Sequence, residues 1–435
     1  MHILVIAYEF PPSPSPQSLR WAYLTRHLVE QGHRVSVLTI HLGGEPEGLP
    51  ALPASISFHR TYAGPVRGSL AALRDLRRRR SARTDTRPAG TYKLPITTPR
   101  SGKGWKQALS NTLQGAAAMA IFPDVRGEWF PWAWRRLEKI LETDTPDIVI
   151  SSHEPATSLE LGLLAKHRGL PWIADLGDPV LAAYTPPRWQ KRAWRLEREV
   201  ANLADHVLVT TPAAAALLAE RHERKERVTV VTQGHAADAI AVSSSDASGA
   251  ATYDVRRLEL LYTGSFYSFR RPEALLEALR SLPEARLNIA SVTLPPSILR
   301  FAQELPDQIR LLGFLPHNLA LELQRHADIL VNIGNADPAQ VPGKIYEYLG
   351  ACRPILHLGN GDDAIAQFIA GLRRGWSCMN RSDAIAAQLT ALIASKRDGK
   401  LARGLDLGTA SVMQWHWKEL ALKIETISRS LSAKA

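Results

Sequence analysis

Ile3-Leu4-Val5-Ile6-Ala7 is an uninterrupted apolar run, followed by Pro11, Pro12, Pro14 and Pro16, then Leu19, Tyr23, Leu24 and Leu28, then Gly32 and Arg34-Val35-Ser36-Val37-Leu38-Thr39. A short apolar run bounded by turn formers predicts a buried strand, and apolar residues recurring about every 3.6 positions predict a helix. Gly32 stands where such a helix would stop. Strand, helix and strand in this order are the repeat of a parallel α/β sheet.

The same rhythm returns along the chain. Strands are predicted at Asp147–Ser151, Pro171–Ala174, His206–Thr210 and Val228–Val231, with helices at Thr157–His167 and Trp189–Ala204. A Ser-, Ala-, Asp- and Gly-rich stretch, Ala236–Thr252, shifts the composition and reads as an interdomain linker. The pattern then restarts with a strand at Leu258–Tyr262, a helix at Pro272–Leu279 and a strand at Leu287–Ala290. Strands at Ile329–Asn332 and Pro354–Leu358 enclose a predicted helix, Val341–Leu349. Trp415–Leu431 is amphipathic and suited to crossing back to the first domain. The expected architecture is α/β: two Rossmann-like, doubly wound domains facing across a cleft, where the carboxyl ends of both sheets meet. Residues 1–235 with the helix 413–432 form the first domain, and 236–412 the second.

A chain of 435 residues is long enough for two or three domains, and 45% apolar with 22% charged residues is a globular composition. The 53 Lys and Arg exceed the 42 Asp and Glu by 11, which favours polyanionic partners. Cys352 and Cys378 are the only cysteines, too few for a disulfide framework, which predicts a reducing compartment. The opening apolar run is too short for a signal peptide, and no stretch approaches the ~20 apolar residues of a membrane span. The expected location is cytoplasmic.

Between Ala7 and Gln31 there is no glycine, so the Gly-rich turn of a dinucleotide-binding unit is missing. P-loop, Gly-x-Ser-x-Gly and His-Glu-x-x-His patterns are missing as well, which disfavours ATP hydrolysis, hydrolase elbows and zinc proteases.

The informative stretch is Asp337-Pro338-Ala339-Gln340-Val341-Pro342-Gly343-Lys344-Ile345-Tyr346-Glu347-Tyr348-Leu349. Pro342 suits a first helical turn, Val341, Ile345 and Leu349 form an apolar stripe, and Lys344 and Glu347 share another face. Such a helix start can offer amides and a cation to an anion, with a carboxylate one turn deeper for a sugar diol. The same spacing also describes a surface Lys–Glu pair on an ordinary helix.

This stretch, with Arg353-Pro354-Ile355-Leu356 after it, resembles the nucleotide-sugar-binding helix of retaining GT-B glycosyltransferases of family 4. Other stretches agree in order: Glu9-Phe10-Pro11-Pro12 with Arg20, Phe122-Pro123-Asp124 with Trp129, and Asp175-Leu176-Gly177-Asp178-Pro179. Tyr262-Thr263-Gly264, Gly313-Phe314-Leu315-Pro316 and Ala327-Asp328-Ile329-Leu330 extend the likeness over nearly the whole chain. The resemblance implies an acceptor-binding first domain and a nucleotide-sugar-binding second domain.

It further implies that Glu347 binds the donor's ribose, while Val341, Pro342, Gly343, Lys344 and Tyr346 hold the diphosphate and sugar. Relatives carry a second glutamate eight positions before the first, where this chain has Ala339. They also carry Gly-Arg after the first strand of the second domain and a lysine further on. Here Gly264 is followed by Ser265, and the lysine position is Arg271, so Arg271 inherits the cationic role with Arg270 or Lys344 compensating.

Preorganised cations and helix amides stabilise a leaving nucleoside diphosphate without a metal. Arg271, Lys344, Glu347 and His153 form the expected catalytic set. Pro12, Arg20, Asp175 and Asp178 are the expected acceptor or cleft residues, although an aspartate before a turn is also an ordinary turn stabiliser. Neither a dedicated general base nor a metal or other cofactor is expected, the nucleotide-sugar being a co-substrate.

Arg67–Arg87 holds eight arginines against Asp75 and Asp85, a net +6 of the chain's +11. With Trp105, the apolar run Gly115–Phe122, Trp129, Trp132 and Trp134, it reads either as an anionic-membrane contact or as a basic loop over a Trp-containing core. No nucleic-acid-binding signature accompanies the arginines.

The leading functional expectation is retaining transfer of a sugar from a nucleotide donor to a glycan or lipid-linked acceptor in bacterial cell-surface polysaccharide synthesis. A catalytically silent homologue that binds nucleotide or glycan is the alternative, prompted by Ala339 and Ser265. An epimerase on the same fold is the third reading.

Overall fold

The computed structural model describes residues 1–43, 49–69, 71, 122–182, 184–236, 253–266, 270–334 and 342–433. They form two compact units. The first takes its residues from Met1–Ala89, Pro99–Thr232 and Trp417–Ala435, the second from Gln233–His416.

The first unit runs β1 (His2–Ala7), α1 (Pro16–Glu30), β2 (Arg34–His41), β3 (Ser57–Tyr62), a 3-10 turn (Val125–Trp129), α2 (Phe130–Thr143), β4 (Ile148–His153), α3 (Ala156–His167), β5 (Trp172–Leu176), α4 (Pro187–Leu203), β6 (His206–Val209), α5 (Pro212–His222) and β7 (Val228–Val230). Its seven strands are parallel in the order β3-β2-β1-β4-β5-β6-β7. β1 lies inside the sheet, between β2 and β4, and is buried along its whole length, which is why it is apolar without alternation.

α1 shows how local chemistry sets an element's limits. The Ser15 side chain accepts from the Ser18 amide, and Pro16 occupies the first turn. At the other end Gly32 takes φ +84°, and the His33 and Gly32 amides close onto Leu28 and Val29 carbonyls, a Schellman ending that a side chain at Gly32 would strain.

The second unit runs β8 (Leu258–Thr263), α6 (Glu273–Leu279), β9 (Ala285–Ala290), α7 (Pro296–Glu304), β10 (Ile309–Gly313), α8 (His317–His326), β11 (Ile329–Ile333), α9 (Lys344–Gly350), β12 (Ile355–Gly359), α10 (Ala364–Gly371), β13 (Gly375–Met379) and α11 (Ser382–Arg397). Its sheet is parallel in the order β10-β9-β8-β11-β12-β13. The last helix, α12 (Trp417–Ser432), belongs to the first unit. There Trp417 stacks on Tyr23 of α1 at 5.4 Å, and Glu425 lies 3.1 Å from His33 Nε2.

Several boundaries differ from the sequence expectation by one to three residues, and three of these lie at the residues singled out for function. β4 and β5 continue beyond Ser151 and Ala174, because Ser152 pairs with Asp175 and His153 with Leu176. The apolar run stops before the strand does, so His153 and Asp175 lie inside strands. The helix expected at Val341–Leu349 begins at Lys344, with Gly343 at its cap.

α10 is capped by Asp363, whose carboxylate accepts from the Ile365 and Ala366 amides and lies 3.0 Å from His357 Nε2. Burial draws this carboxyl pKa upward, but His357 and the Ala366 and Asn360 amides outweigh it and hold it below the ordinary aspartate value. A depressed carboxyl pKa stabilises the fold above the carboxylate range, and that contribution is lost as pH falls through the folded value. Asp363→Ala is expected to lower stability by about 1–2 kcal/mol at neutral pH. In thermal melts the difference should shrink in acid.

Candidate functional site

In open α/β sheets ligands collect at the carboxyl ends of the strands where the order reverses. In the second unit that point lies between β8 and β11, and the residues singled out in the sequence gather beside it. After Thr263 the chain turns at Gly264 with φ +113°, a conformation that favours glycine. The Ser265 carbonyl then accepts from Tyr262 Oη at 3.1 Å and Arg270 Nη1 at 3.0 Å, pinning the loop and drawing Arg270 inward. Arg271 is exposed, its carbonyl accepting from Asn380 Nδ2 at 3.1 Å. Arg270, Arg271, Phe266, Pro295 and Asn380 are among the residues lining a depression of about 610 Å³.

Lys344 does not form the surface ion pair that one reading of the spacing allowed. Its Nζ is closed to solvent, 3.5 Å from the centre of the Tyr262 ring, with no hydrogen-bond partner among the described residues. Burial and then the Arg270 charge push its pKa well below that of an ordinary lysine, against the pull of Glu347. Glu347 is fixed separately: Oε1 accepts from Gln324 Nε2 at 2.6 Å, and Oε2 lies 4.0 Å from His317 Nδ1. Gln324 Nε2 also donates to Thr263 Oγ1 at 3.1 Å, while the Thr263 amide donates to Tyr348 Oη at 3.0 Å. A buried network thus ties the carboxylate on α9 to α8 and the end of β8.

Pro342 is buried, and Gly343 is backed by Gln233, whose Cγ would lie 2.8 Å from an added Cβ. Tyr346 is placed differently from Lys344. It sits in the core, 7% exposed, with the Phe368 and Trp415 rings beside it. Ala339 and Val341 fall outside the described residues.

The corresponding point of the first unit lies between β1 and β4. Arg20 and Asp175 are both closed to solvent and satisfy each other: Nη2 and Nε of Arg20 reach the two carboxylate oxygens at 2.9 and 3.2 Å. Trp21 Nε1 and Ser152 Oγ add bonds to Asp175, and Arg20 Nη1 donates to the Thr232 carbonyl. The pair braces the interior of the first unit at the carboxyl end of its sheet. Burial of both charges is offset by their mutual attraction together with these added hydrogen bonds. Pro12 is half-buried in the loop after β1, where the Pro11 carbonyl accepts from Arg60 Nη2 at 2.8 Å.

His153 is 4% exposed, and its Nδ1 lies 2.8 Å from the Asp178 carbonyl oxygen. A carbonyl only accepts, so Nδ1 carries a proton in this contact and Nε2 is turned to the other side of the ring. Tyr184 Oη bonds Glu154 at 3.0 Å and Asp178 at 3.3 Å, and Arg126 joins Glu154 to Asp124. Burial and then the Glu154 charge raise the Asp178 pKa. For Glu154 burial also pulls upward, but His153, Arg126 and Tyr184 prevail and lower it.

Sequence reasoning gave no role to Gln324, His317, Arg126 or Tyr184. Their distance along the chain from Glu347 or His153 carries no periodic signal, although Glu154 adjoins His153.

Of the aromatic residues expected at a membrane, Trp129 belongs to the core, fully buried against Tyr8 with Nε1 on Thr61 Oγ1. Trp134 is 44% exposed. Arg67 lies over the Tyr8 ring, whereas Arg74–Arg87 and Trp105 are outside the described residues. Among the described residues no helix is long and apolar enough to cross a membrane, and no group of three or more His, Cys, Asp or Glu could hold a metal ion.

The two parallel-sheet units are the GT-B fold. Sucrose-phosphate synthase from Thermosynechococcus elongatus matches with a TM-score of 0.68 at 14% identity, covering 100% of both chains. HepE from Anabaena, in complex with UDP and glucose, matches with a TM-score of 0.61 at 13% identity, over 99% of this chain and 100% of that one. UDP-GlcNAc 2-epimerase from Methanocaldococcus jannaschii matches with a TM-score of 0.55 at 11% identity, again over 99% and 100%. Such likenesses establish the fold, which transferases and epimerases share.

The family comes from the sequence itself: residues 17–234, half of the chain, match the glycosyl transferase 4-like domain. The chain belongs to that family. No curated protein matches it at a significant level.

Proposed function

We propose that this protein moves a sugar from a nucleotide-sugar donor to a glycan or lipid-linked acceptor, with retention of configuration and without a metal, in bacterial cell-surface polysaccharide synthesis. The observation that carries the reading is the shielded Lys344 Nζ on α9, set against the Tyr262 ring of β8, with Arg270 nearby and Glu347 one turn along the same helix. A diphosphate brought beside Nζ supplies the acceptor that the protein does not, and Arg270 and Arg271 add charge. Negative charge that develops on the leaving diphosphate then meets cations already in position. Glu347, steadied by Gln324, accepts from the ribose hydroxyls. That HepE binds UDP and glucose supports a donor of this class.

In the first unit, His153 Nε2 and the Asp178, Glu154 and Tyr184 oxygens provide partners for sugar hydroxyls, which is the acceptor role. The departing phosphate takes the acceptor's proton on the face it leaves, so no separate base is assigned.

Ala339 and Ser265, where relatives carry Glu and Arg, favour the silent, nucleotide-binding reading as the second possibility. Both are tested by incubating the protein with a panel of nucleotide-sugars and following release of nucleoside diphosphate. The expected result is slow, chelator-insensitive release from one donor class, accelerated by acceptor, with the donor's anomeric configuration in the product. Binding without release from any donor supports the silent reading, and an inverted product contradicts retention.

A further inference from the structure

The chain has two cysteines, and the donor chemistry uses neither. Both are free and partly exposed, but their surroundings differ. Cys378 lies in β13 against the apolar core of the second unit, and burial pushes its thiol pKa up to about 11. Cys352 stands in the turn between α9 and β12 with φ +56°, its Sγ 3.7 Å from the Gly350 carbonyl oxygen. Glycine or asparagine suits such a left-handed turn better, so the backbone does not call for a thiol there.

The side chain that meets the Cys352 thiol is Arg374, in the turn before β13. It is fully buried, and its backbone is fixed: the amide donates to the Ile369 carbonyl and the carbonyl accepts from the Ile355 amide, both at 2.9 Å. Nη2 is taken up by the Gly408 carbonyl and Ser411 Oγ. Nε and Nη1, in contrast, are closed to solvent and have no hydrogen-bond partner among the described residues. Unpaired donors on a buried cation are costly. Burial lowers the Arg374 pKa, and Cys352, ahead of Asp406, acts against it. Asp406 is itself held by the Gly408 amide and Ser411. The thiol therefore faces a guanidinium with donors to spare.

We propose that Cys352 and Arg374 form a peroxide-reactive thiol site. Reactive thiols sit in electropositive, partly exposed surroundings, and the unused N–H groups of Arg374 can meet negative charge on sulfur or on an oxygen added to it. Hydrogen peroxide is the co-reactant. The sulfur attacks one peroxide oxygen, an S–O bond forms as the O–O bond breaks, and the departing hydroxide takes the thiol proton and leaves as water. Sulfur gives up two electrons, peroxide accepts them, and the product is a sulfenic acid whose oxygen accepts from the guanidinium better than sulfur does. Cys352 and Arg374 precede β12 and β13, at the amino ends of these strands, whereas the donor residues gather at the carboxyl ends. The site does not depend on the donor reading.

The test uses the full-length protein, reduced, freed of reductant and exposed to hydrogen peroxide with dimedone, which traps sulfenic acids. Peptide mass spectrometry then reads the adduct at each cysteine. In wild type Cys352 should be trapped at least about 10-fold faster than Cys378. Arg374→Met should slow trapping at Cys352 by about 10-fold. Arg373→Met, which removes the exposed neighbouring cation instead, should keep the wild-type rate. Thermal melts establish that each variant is folded.

The inference is overturned if Cys352 of wild type is trapped no faster than Cys378, a comparison that needs no variant. It is also overturned if folded Arg374→Met is trapped as fast as wild type, or if both arginine variants slow trapping equally.

Discussion

Lys344→Met is expected to remove on the order of 10²–10³ of the transfer rate while leaving the unliganded protein at least as stable as wild type, about the loss seen when one preorganised charge-stabilising donor is deleted. The two effects have one cause. Lys344 Nζ is held against the Tyr262 ring away from water, and burial followed by the Arg270 charge lowers its pKa. In the unfolded chain the amine titrates near the ordinary lysine value of about 10.4. Between the folded and unfolded values the unfolded chain binds the extra proton, so wild-type stability rises with pH across that window. Met fills the same space with no proton to lose, and its stability curve should be flatter there. A diphosphate beside Nζ reverses the bias toward the charged form, so donor binding should take up a proton, read by calorimetry in buffers of different ionisation enthalpy. Thermal melts against pH and donor turnover, measured on both proteins, check the pair of effects. A Met variant that keeps its turnover would exclude Lys344 from the charge-stabilising role.

Glu347→Ala is expected to weaken nucleoside diphosphate binding by about 1.5–3 kcal/mol, the range for a hydrogen bond to a charged group. Gln324 already holds Oε1 from the side of α8. The carboxylate is therefore preorganised, and little ordering is left for the ligand to impose. The loss should depend on the ribose. A 2′,3′-dideoxynucleotide offers Glu347 no hydroxyl, so wild type and variant should bind it alike. Competition measurements with the ribo and dideoxy forms read this difference directly. Equal losses for both would place Glu347 away from the sugar.

The strand–helix rhythm was legible because central parallel strands are buried on both faces and so appear as plain apolar runs. It failed where strands end in polar residues, at Ser152-His153 and Asp175, and at the edge strand β3, whose Phe58, Arg60 and Tyr62 are exposed. The Lys344 and Glu347 helix could be read from spacing and resemblance, but not the surroundings that define its chemistry. Tyr262 and Gln324 reach those residues through the packing of β8 and α8, which no local spacing records. Tyr346 was assigned to the ligand from its place in the stretch, and the Phe368 and Trp415 contacts that make it a core residue come from elsewhere in the unit. Arg20 and Asp175 illustrate the same limit, since a polar residue near a strand end has the same sequence signature whether it braces the interior or meets a ligand.

Calorimetric titration of wild type and Glu347→Ala with UDP, GDP, ADP and CMP tests the central claim most directly. The account predicts that one nucleoside diphosphate binds selectively to wild type and loses roughly 10- to 150-fold in affinity in the variant, corresponding to the 1.5–3 kcal/mol above. Equal affinity in the two proteins, or no binding of any nucleotide to wild type, would contradict it.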